Sequence, residues 1–216
     1  MDPPANPTWL VLVLLGASGT GKSTAARRIA RGSGATWLQV DDLRLALQYS
    51  RVTLPELTDR LYFFETTSDV WNRPVHELLR AFIDVATVMV PAVRVVIDSH
   101  LVTGVPMVIE GDGVQPSLVD DPVFRPWVDL GALRFCCLAA ASSTELIENM
   151  LSRGRGDQLD DRQRVFRQAV ANLAYSDWLA ESSRSRGIPV VPSRPFETVT
   201  DRVQQAISGP PHPAGR

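Results

Sequence analysis

Residues 16–23 of this 216-residue chain combine glycines, a lysine and hydroxyl groups at a spacing that suits phosphate binding. The run reads Gly-Ala-Ser-Gly-Thr-Gly-Lys-Ser and fits the P-loop pattern without departure. Its amides can form an anion-binding nest at a helix N-terminus, because glycine permits left-handed angles and close approach. In this pattern Lys22 reaches the β- and γ-phosphates, and the Ser23 hydroxyl binds Mg²⁺. We therefore expect a nucleoside triphosphate and Mg²⁺ to bind at Gly16, Ala17, Ser18, Gly19, Thr20, Gly21, Lys22, Ser23 and Thr24.

A second candidate group is Asp41-Asp42 with Arg44, at the end of a strand predicted over residues 36–40. Ligands of an open α/β sheet gather beyond the carboxyl ends of its strands. A carboxylate there can accept the proton of an attacking hydroxyl, which makes Asp41 a candidate general base. Asp42 and Arg44 are candidates for binding the acceptor, and Arg44 suits an anionic group. Alternatively an aspartate caps the next helix; we favour catalysis for Asp41 and capping for Asp42.

A third group follows an apolar strand predicted over residues 106–110, where the sequence continues as Glu110-Gly-Asp112-Gly. An acid at the end of such a strand can hold Mg²⁺ through water or contact the acceptor. Glu110 is a candidate for both roles, and Asp112 for acceptor binding; the alternative is a solvated acidic turn. Asp98 rivals Glu110 as the metal acid if residues 94–98 form a strand. We expect a helix at 94–98, because 106–110 follows too closely for a crossover between parallel strands.

Arg153 and Arg155 lie between two predicted helices and are separated by glycine. They suit a mobile cationic lid over about residues 153–160, which would close on the triphosphate, exclude water and neutralise the transferring phosphoryl group. The alternative is a basic helix C-terminus followed by a glycine stop. Three arginines of the next helix are expected to form a solvated face: Arg162, Arg164 and Arg167.

Apolar patterning predicts strands that alternate with helices along the chain. The predicted strands cover residues 9–15, 36–40, 106–110, 133–138 and 188–191. The predicted helices cover 21–30, 75–89, 143–152, 160–184 and 196–207, with a further helical segment that begins near Pro55. The unbroken apolar run at 9–15 is typical of a parallel strand with both faces covered. This alternation predicts an α/β fold, in which helices lie on both faces of a parallel sheet.

Composition limits the class of function. The formal net charge is −2, which gives no electrostatic footprint for long nucleic acids, so we expect no nucleic-acid partner. The apolar run at 9–15 is too short to span a bilayer and lacks a basic leader, so no membrane association is expected. The adjacent Cys136 and Cys137 suit a buried strand of a cytoplasmic protein. Residues 9–208 are expected to form one domain, with disordered ends at 1–8 and 209–216.

The set GASGTGKS, DDLR, VIEGDG and RGRG resembles the small P-loop kinases of the adenylate-kinase-like superfamily over about residues 11–207. Within that superfamily the chain is similar to the 2-phosphoglycerate kinase-like group and to the kinase domain of polynucleotide kinases. The resemblance implies a three-layer fold with a small lid and a five-stranded parallel sheet in the order 2-3-1-4-5, as a monomer or homodimer. It also implies an ATP- and Mg²⁺-dependent kinase that phosphorylates a hydroxyl of a small molecule.

The resemblance carries the base role onto Asp41 and acceptor binding onto Arg44. The group's usual His after Glu-Gly is replaced by Asp112 in this chain. In this superfamily the stretch corresponding to residues 43–71 contributes to acceptor binding, although its aromatic residues also suit a core. Two other activities stay open: a nucleoside or polynucleotide 5′-hydroxyl kinase, and a nucleotide-dependent switch ATPase. A switch GTPase is disfavoured because the sequence has no Asn-Lys-x-Asp-like guanine reader.

Overall fold

The computed structural model describes residues 7–50, 58–152 and 159–209. The ends predicted to be disordered lie outside this part of the chain, apart from residues 7, 8 and 209. Pro55 also lies outside it, as do residues 153–158 of the predicted lid, which include Arg153 and Arg155. The described strands are β1 (Val11–Leu15), β2 (Thr36–Gln39), β3 (Met107–Gly111), β4 (Leu133–Ala139) and β5 (Val190–Pro192). The described α-helices are α1 (Lys22–Ser33), α2 (Val40–Tyr49), α3 (Thr58–Leu61), α4 (Phe63–Thr66), α5 (Val75–Thr103), α6 (Arg125–Asp129), α7 (Ser143–Leu151), α8 (Leu159–Arg184) and α9 (Val199–Ile207). Short 3-10 helices cover Val70–Asn72, Pro116–Asp120 and Phe196–Thr198.

The described strands form one parallel sheet in the order β2-β3-β1-β4-β5, which confirms the order implied by the resemblance. The central strand β1 is buried along its whole length, since helices cover both faces of the sheet. Its pairing with β3 stays in register up to Leu15 opposite Gly111. The carboxyl ends of β1 and β3 are therefore level, and the two loops that leave them emerge side by side.

Alternate residues of β1 pack into two separate cores. Val11, Val13 and Leu15 belong to the core that includes residues of α5 and α8. Leu12 and Leu14 belong to the core built with α1 and α9 on the other face of the sheet. This arrangement confirms the predicted three-layer α/β architecture, in which the sheet lies between two layers of helices.

The helix α5 is longer than the sequence predicts. Helical segments are predicted at 75–89 and 94–98, but the structure has one helix that continues through Pro91. Buried residues at intervals of four line its core side: Val85, Met89, Val93, Ile97 and Leu101. This burial outweighs the backbone hydrogen bond that a proline removes. The helical prediction for 94–98 is confirmed, and the strand alternative with Asp98 as the metal acid is wrong, because Asp98 lies exposed within α5. Neither α5 nor any other helix in the described part of the chain is long and apolar enough to cross a membrane.

The start of α2 also differs from the prediction. The strand predicted over residues 36–40 ends at Gln39, which is the N-cap residue of α2. Asp41 and Asp42 lie inside the first turn, so the capping role favoured for Asp42 is wrong, as is the alternative of capping by Asp41. Carboxylates in a first turn still interact favourably with the helix dipole.

Stacked aromatic rings run from one end of α5 into the core. Trp71 stacks on Phe64 with ring centroids 5.4 Å apart, and Phe64 stacks on Phe82 at 4.8 Å. Phe82 stacks on Tyr175 at 5.1 Å, and Tyr175 on Trp178 at 5.9 Å. The hydroxyl of the fully buried Tyr175 donates a hydrogen bond of 2.6 Å to the backbone carbonyl of Asp112. The stack therefore fixes the loop that follows β3.

Replacing Tyr175 with Phe should lower the free energy of unfolding by about 1 kcal/mol, because the fully buried Tyr175 loses its hydrogen bond to the Asp112 carbonyl while the ring stack is retained. Tyr62→Phe is a matched control, since Tyr62 is only half-buried and its hydroxyl donates to the Gln48 carbonyl at 3.0 Å. Urea denaturation of the two variants measures the difference. Equal losses for both variants would contradict a special role for the Tyr175 hydroxyl.

Candidate functional site

The glycine-rich run at residues 16–23 joins β1 to α1 at the carboxyl edge of the sheet. Gly19 and Gly21 have φ angles of 93° and 82°, left-handed values that glycine adopts without strain. A side chain at position 21 would also collide, because a Cβ there would lie 2.4 Å from the ring of Phe196. The 3-10 helix that follows β5 thus packs against the loop and requires glycine at this point.

Lys22 is the first residue of α1 and only 6% of its surface is exposed. Its Nζ lies 3.5 Å from the backbone carbonyl of Ala17 in the same loop. The Thr20 hydroxyl donates to that carbonyl at 2.9 Å. The loop is therefore closed around its own lysine, at the positive end of the α1 dipole. A buried ammonium beside a helix N-terminus is suited to holding phosphate groups.

Two asparagines from distant helices hold the loop in place. The backbone amide of Ser18 donates to Oδ1 of Asn172 in α8 at 3.1 Å. Nδ2 of Asn149 in α7 donates to the Gly19 carbonyl at 2.7 Å, and its Oδ1 accepts from Arg194 at 3.1 Å. Sequence reasoning missed both asparagines, although Asn172 is a polar residue on the buried side of a helix, which is a usable signal.

Close packing of β3 on α2 brings two carboxylates together. A Cβ at Gly111 would lie 2.7 Å from the Cβ of Val40, so the approach requires a glycine. Asp112 follows Gly111 in the chain, and Asp41 follows Val40. Both aspartates line the same cleft, and the charge of Asp112 acts on Asp41. Because like charges repel, the Asp112 carboxylate favours the protonated form of Asp41.

The pKa of Asp41 is raised from its ordinary value of 3.8 to about 7. Repulsion from the Asp112 carboxylate is the largest cause, followed by burial, and the hydrogen bond with Asp112 adds to the rise. The positive charges of Lys22 and Arg44 act in the opposite direction. Asp41 therefore exchanges its proton near neutral pH, which is the range in which a general base is effective.

Glu110 is 1% exposed and lies two residues after Val108 on β3, so the two side chains share one face of the sheet. Val108 packs in the core that includes α1. The Glu110 side chain therefore lies on the α1 face of the sheet, and Ser23 lies in the first turn of that helix. A carboxylate and a hydroxyl are the hard oxygen ligands that Mg²⁺ prefers. Among the described residues, no three His, Cys, Asp or Glu side chains cluster into a metal site of their own. A magnesium ion at Ser23 and Glu110 would therefore need phosphate oxygens and water to complete its ligands.

Arg44 faces the cleft but its charge is already engaged. Its Nη2 lies 3.5 Å from Asp41, and its Nη1 lies 3.4 Å from Glu65. Arg44 thus positions Asp41. Because its guanidinium already pairs with two carboxylates, it is less available to bind an anionic acceptor group. Asp42 is exposed on the first turn of α2 and does not line the cleft.

The cleft beside Asp41 has a volume of about 210 Å³. Its lining includes Ser18 of the P-loop and the aromatic rings of Phe64, Trp71 and Phe82. The residues that line it are Ser18, Asp41, Arg44, Phe64, Trp71, Phe82, Val85, Asp112, Gly113, Gln168 and Asn172. Two of the aromatic residues in the stretch 43–71, Phe64 and Trp71, therefore belong both to the ring stack and to the cleft wall. A small organic molecule in this cleft would lie between the P-loop and the rings.

Asn172→Ala should weaken nucleotide binding by about three- to tenfold, because the Ser18 amide loses the acceptor that holds the P-loop in its present shape. Gln168→Ala is the matched control, since Gln168 lies one turn earlier on α8 and lines the same cleft. Titration with a fluorescent ATP analogue measures both affinities. Equal effects of the two substitutions would exclude a specific role for Asn172 in loop geometry.

Asp112→Asn should lower the pKa of Asp41 from about 7 towards 3.8, because the substitution removes the largest cause of the rise. Carboxyl ¹³C NMR of the ligand-free protein follows the titration of Asp41 directly. Asp41 in the variant would then lose its proton at lower pH than in the wild type. An unchanged pKa would show that the charge of Asp112 does not set the pKa of Asp41.

Several solved structures are similar to this chain. The protein TT1252 from Thermus thermophilus is 19% identical with a TM-score of 0.50, over 93% of this chain and 96% of that one. A gluconokinase from Sinorhizobium meliloti 1021 is 17% identical with a TM-score of 0.45, over 95% and 92% of the two chains. A shikimate kinase from Acinetobacter baumannii is 13% identical with a TM-score of 0.43, over 94% and 98%. At these identities the similarity to TT1252 concerns the fold alone.

No curated protein sequence matches the chain. A family model described as "AAA domain" matches residues 11–174, which is more than half of the chain. Those residues include the P-loop, the Asp41 turn and the end of β3, as well as Asn149 and Asn172. The match and the sheet order confirm, at the level of family and fold, the predicted resemblance to P-loop proteins. This chain belongs to the AAA domain family of P-loop proteins.

Proposed function

We propose that the protein is an ATP- and Mg²⁺-dependent kinase that transfers the γ-phosphoryl group to a hydroxyl of a small molecule. The observation that carries the proposal is the cleft that leads from Ser18 of the P-loop to Asp41. A candidate base whose pKa is about 7 thus lies in the same cavity as the phosphate-binding loop. The volume of this cavity, about 210 Å³, favours a small acceptor over a long polymer.

In this proposal the P-loop amides and Lys22 hold the β- and γ-phosphates. Ser23 and Glu110 would hold Mg²⁺, which supplies positive charge to the phosphate oxygens when it is bound. Arg153 or Arg155 is proposed to add positive charge to the transferring group. The loop and the ion thereby fix the γ-phosphorus at the end of the cleft that contains Asp41.

Asp41 acts as the base in the transfer step. The acceptor hydroxyl gives its proton to the Asp41 carboxylate while its oxygen forms a bond to the γ-phosphorus. The bond from that phosphorus to the β,γ-bridging oxygen breaks, and ADP leaves with the electron pair. Arg44 orients Asp41 through their ion pair, and Asp112 keeps the pKa of Asp41 close to neutral pH. Asp42 has no role in this scheme, because it lies outside the cleft.

Asp41→Asn should reduce phosphoryl transfer about 10²-fold or more, because the amide cannot accept the proton. Asp98→Asn is the matched control, since Asp98 lies exposed on α5, away from the cleft. Transfer from radiolabelled ATP to a panel of alcohols, sugars and nucleosides measures the effect. ATP affinity should stay within a few-fold of wild type in both variants.

Transfer that is unchanged in Asp41→Asn would remove Asp41 from the base role. Tight ATP binding by the wild type without transfer to any acceptor would instead favour the switch ATPase. Salt-sensitive binding and phosphorylation of an oligonucleotide would favour the polynucleotide kinase.

A further inference from the structure

A second pocket of about 320 Å³ adjoins the cleft and shares Phe64 and Trp71 with it. We call it the arginine pocket; its other lining residues include Asp69, Asn72, Arg164 and Arg167. Because Phe64 and Trp71 line both cavities, the arginine pocket is a direct neighbour of the cleft. Asp41 lines the cleft, and Arg164 and Arg167 line the arginine pocket.

The arginine pocket carries a net positive charge. Arg164 and Arg167 are three residues apart on α8, so their side chains lie on the same side of the helix. Nη1 of Arg167 donates to Oδ1 of Asn72, which orients that guanidinium at the pocket. Among the side chains that the structure describes, no carboxylate lies within ion-pair distance of either arginine, and Asp69 is the acidic residue of the lining.

The charges of the cleft differ in sign from those of the arginine pocket. Asp41 and Asp112 place two carboxylates in the cleft, and the single guanidinium of Arg44 is already paired with Asp41 and Glu65. An anionic group of a ligand would be repelled there. The same group would be attracted by the arginine pair beyond Trp71, where a guanidinium fork fits phosphate and carboxylate oxygens.

We propose that the arginine pocket binds an anionic group of the acceptor, a phosphate monoester or a carboxylate, while the acceptor's hydroxyl lies at Asp41. This inference rests on the proposed kinase function, and it narrows the acceptor to a hydroxylated anion. Arg164 and Arg167, which the sequence suggests to be a solvated face, become the residues that select the substrate. Neutral alcohols lack the group that these arginines bind.

Isothermal titration calorimetry tests the proposal on the full chain saturated with a non-hydrolysable ATP analogue and Mg²⁺, so that the P-loop is not open to the probe. The probes are glycerol, glycerol 3-phosphate and glycerate, which differ mainly in the anionic group. Either or both anionic probes should bind about tenfold or more tightly than glycerol. Binding of the phosphate alone, the carboxylate alone or both identifies the group that the pocket accepts.

The double variant Arg164→Gln/Arg167→Gln should weaken binding of the anionic probes by about tenfold and leave ATP affinity unchanged. Arg162→Gln is the matched control, because Arg162 is an exposed arginine of the same helix that does not line the pocket. Three results would overturn the inference: no measurable binding of either anion to the wild type, equal binding of glycerol, or equal anion binding by the double variant.

Failure of the kinase function itself has a different signature. In that case no alcohol, neutral or anionic, receives phosphate from ATP, while the calorimetric difference between wild type and the double variant persists. If the kinase function holds but the inference fails, neutral and anionic alcohols are phosphorylated equally well by the wild type and by the double variant.

Discussion

The parallel register of β1 with β3 is the constraint on which the site depends. Leu15 lies opposite Gly111, so the P-loop and the loop after β3 leave the sheet at the same level. Gly111 in turn packs against Val40 at a distance that admits no side chain, which draws Asp41 towards Asp112. A slip of one residue in this pairing would turn every side chain of β3 to the opposite face. The phosphate loop and the candidate base would then no longer share a cleft.

The helix α8 supplies the polar atoms that complete this arrangement. Asn172 holds the P-loop, and Tyr175 holds the loop after β3 through the Asp112 carbonyl. Gln168 lies one turn before Asn172 and lines the cleft. Arg164 and Arg167, which precede Gln168 on the same helix, line the arginine pocket. Residues spaced three and four apart share one side of a helix, which explains how a single element contacts three parts of the site.

The helical nature of 94–98 is predicted from its short distance in sequence to the strand at 106–110. Local patterns in the sequence predict the strands and the P-loop at residues 16–23, because each depends on neighbouring residues. They do not predict that burial carries a helix through Pro91, since tertiary packing decides that outcome. Asn172 and Phe196 contact the P-loop across more than a hundred residues of chain, a separation that periodicity does not reveal. The pairing of Asp41 with a second carboxylate likewise depends on a close contact between elements and not on spacing.

The aromatic stack makes the cleft wall part of the hydrophobic core. Phe64 and Trp71 face the cleft, and their rings continue through Phe82 to the fully buried Tyr175. A substitution that reshapes the wall for another ligand therefore also disturbs the packing of the sheet against α5 and α8. Divergence of ligand preference in such a protein is restrained by its folding stability, so that changes at the wall require compensating changes in the interior.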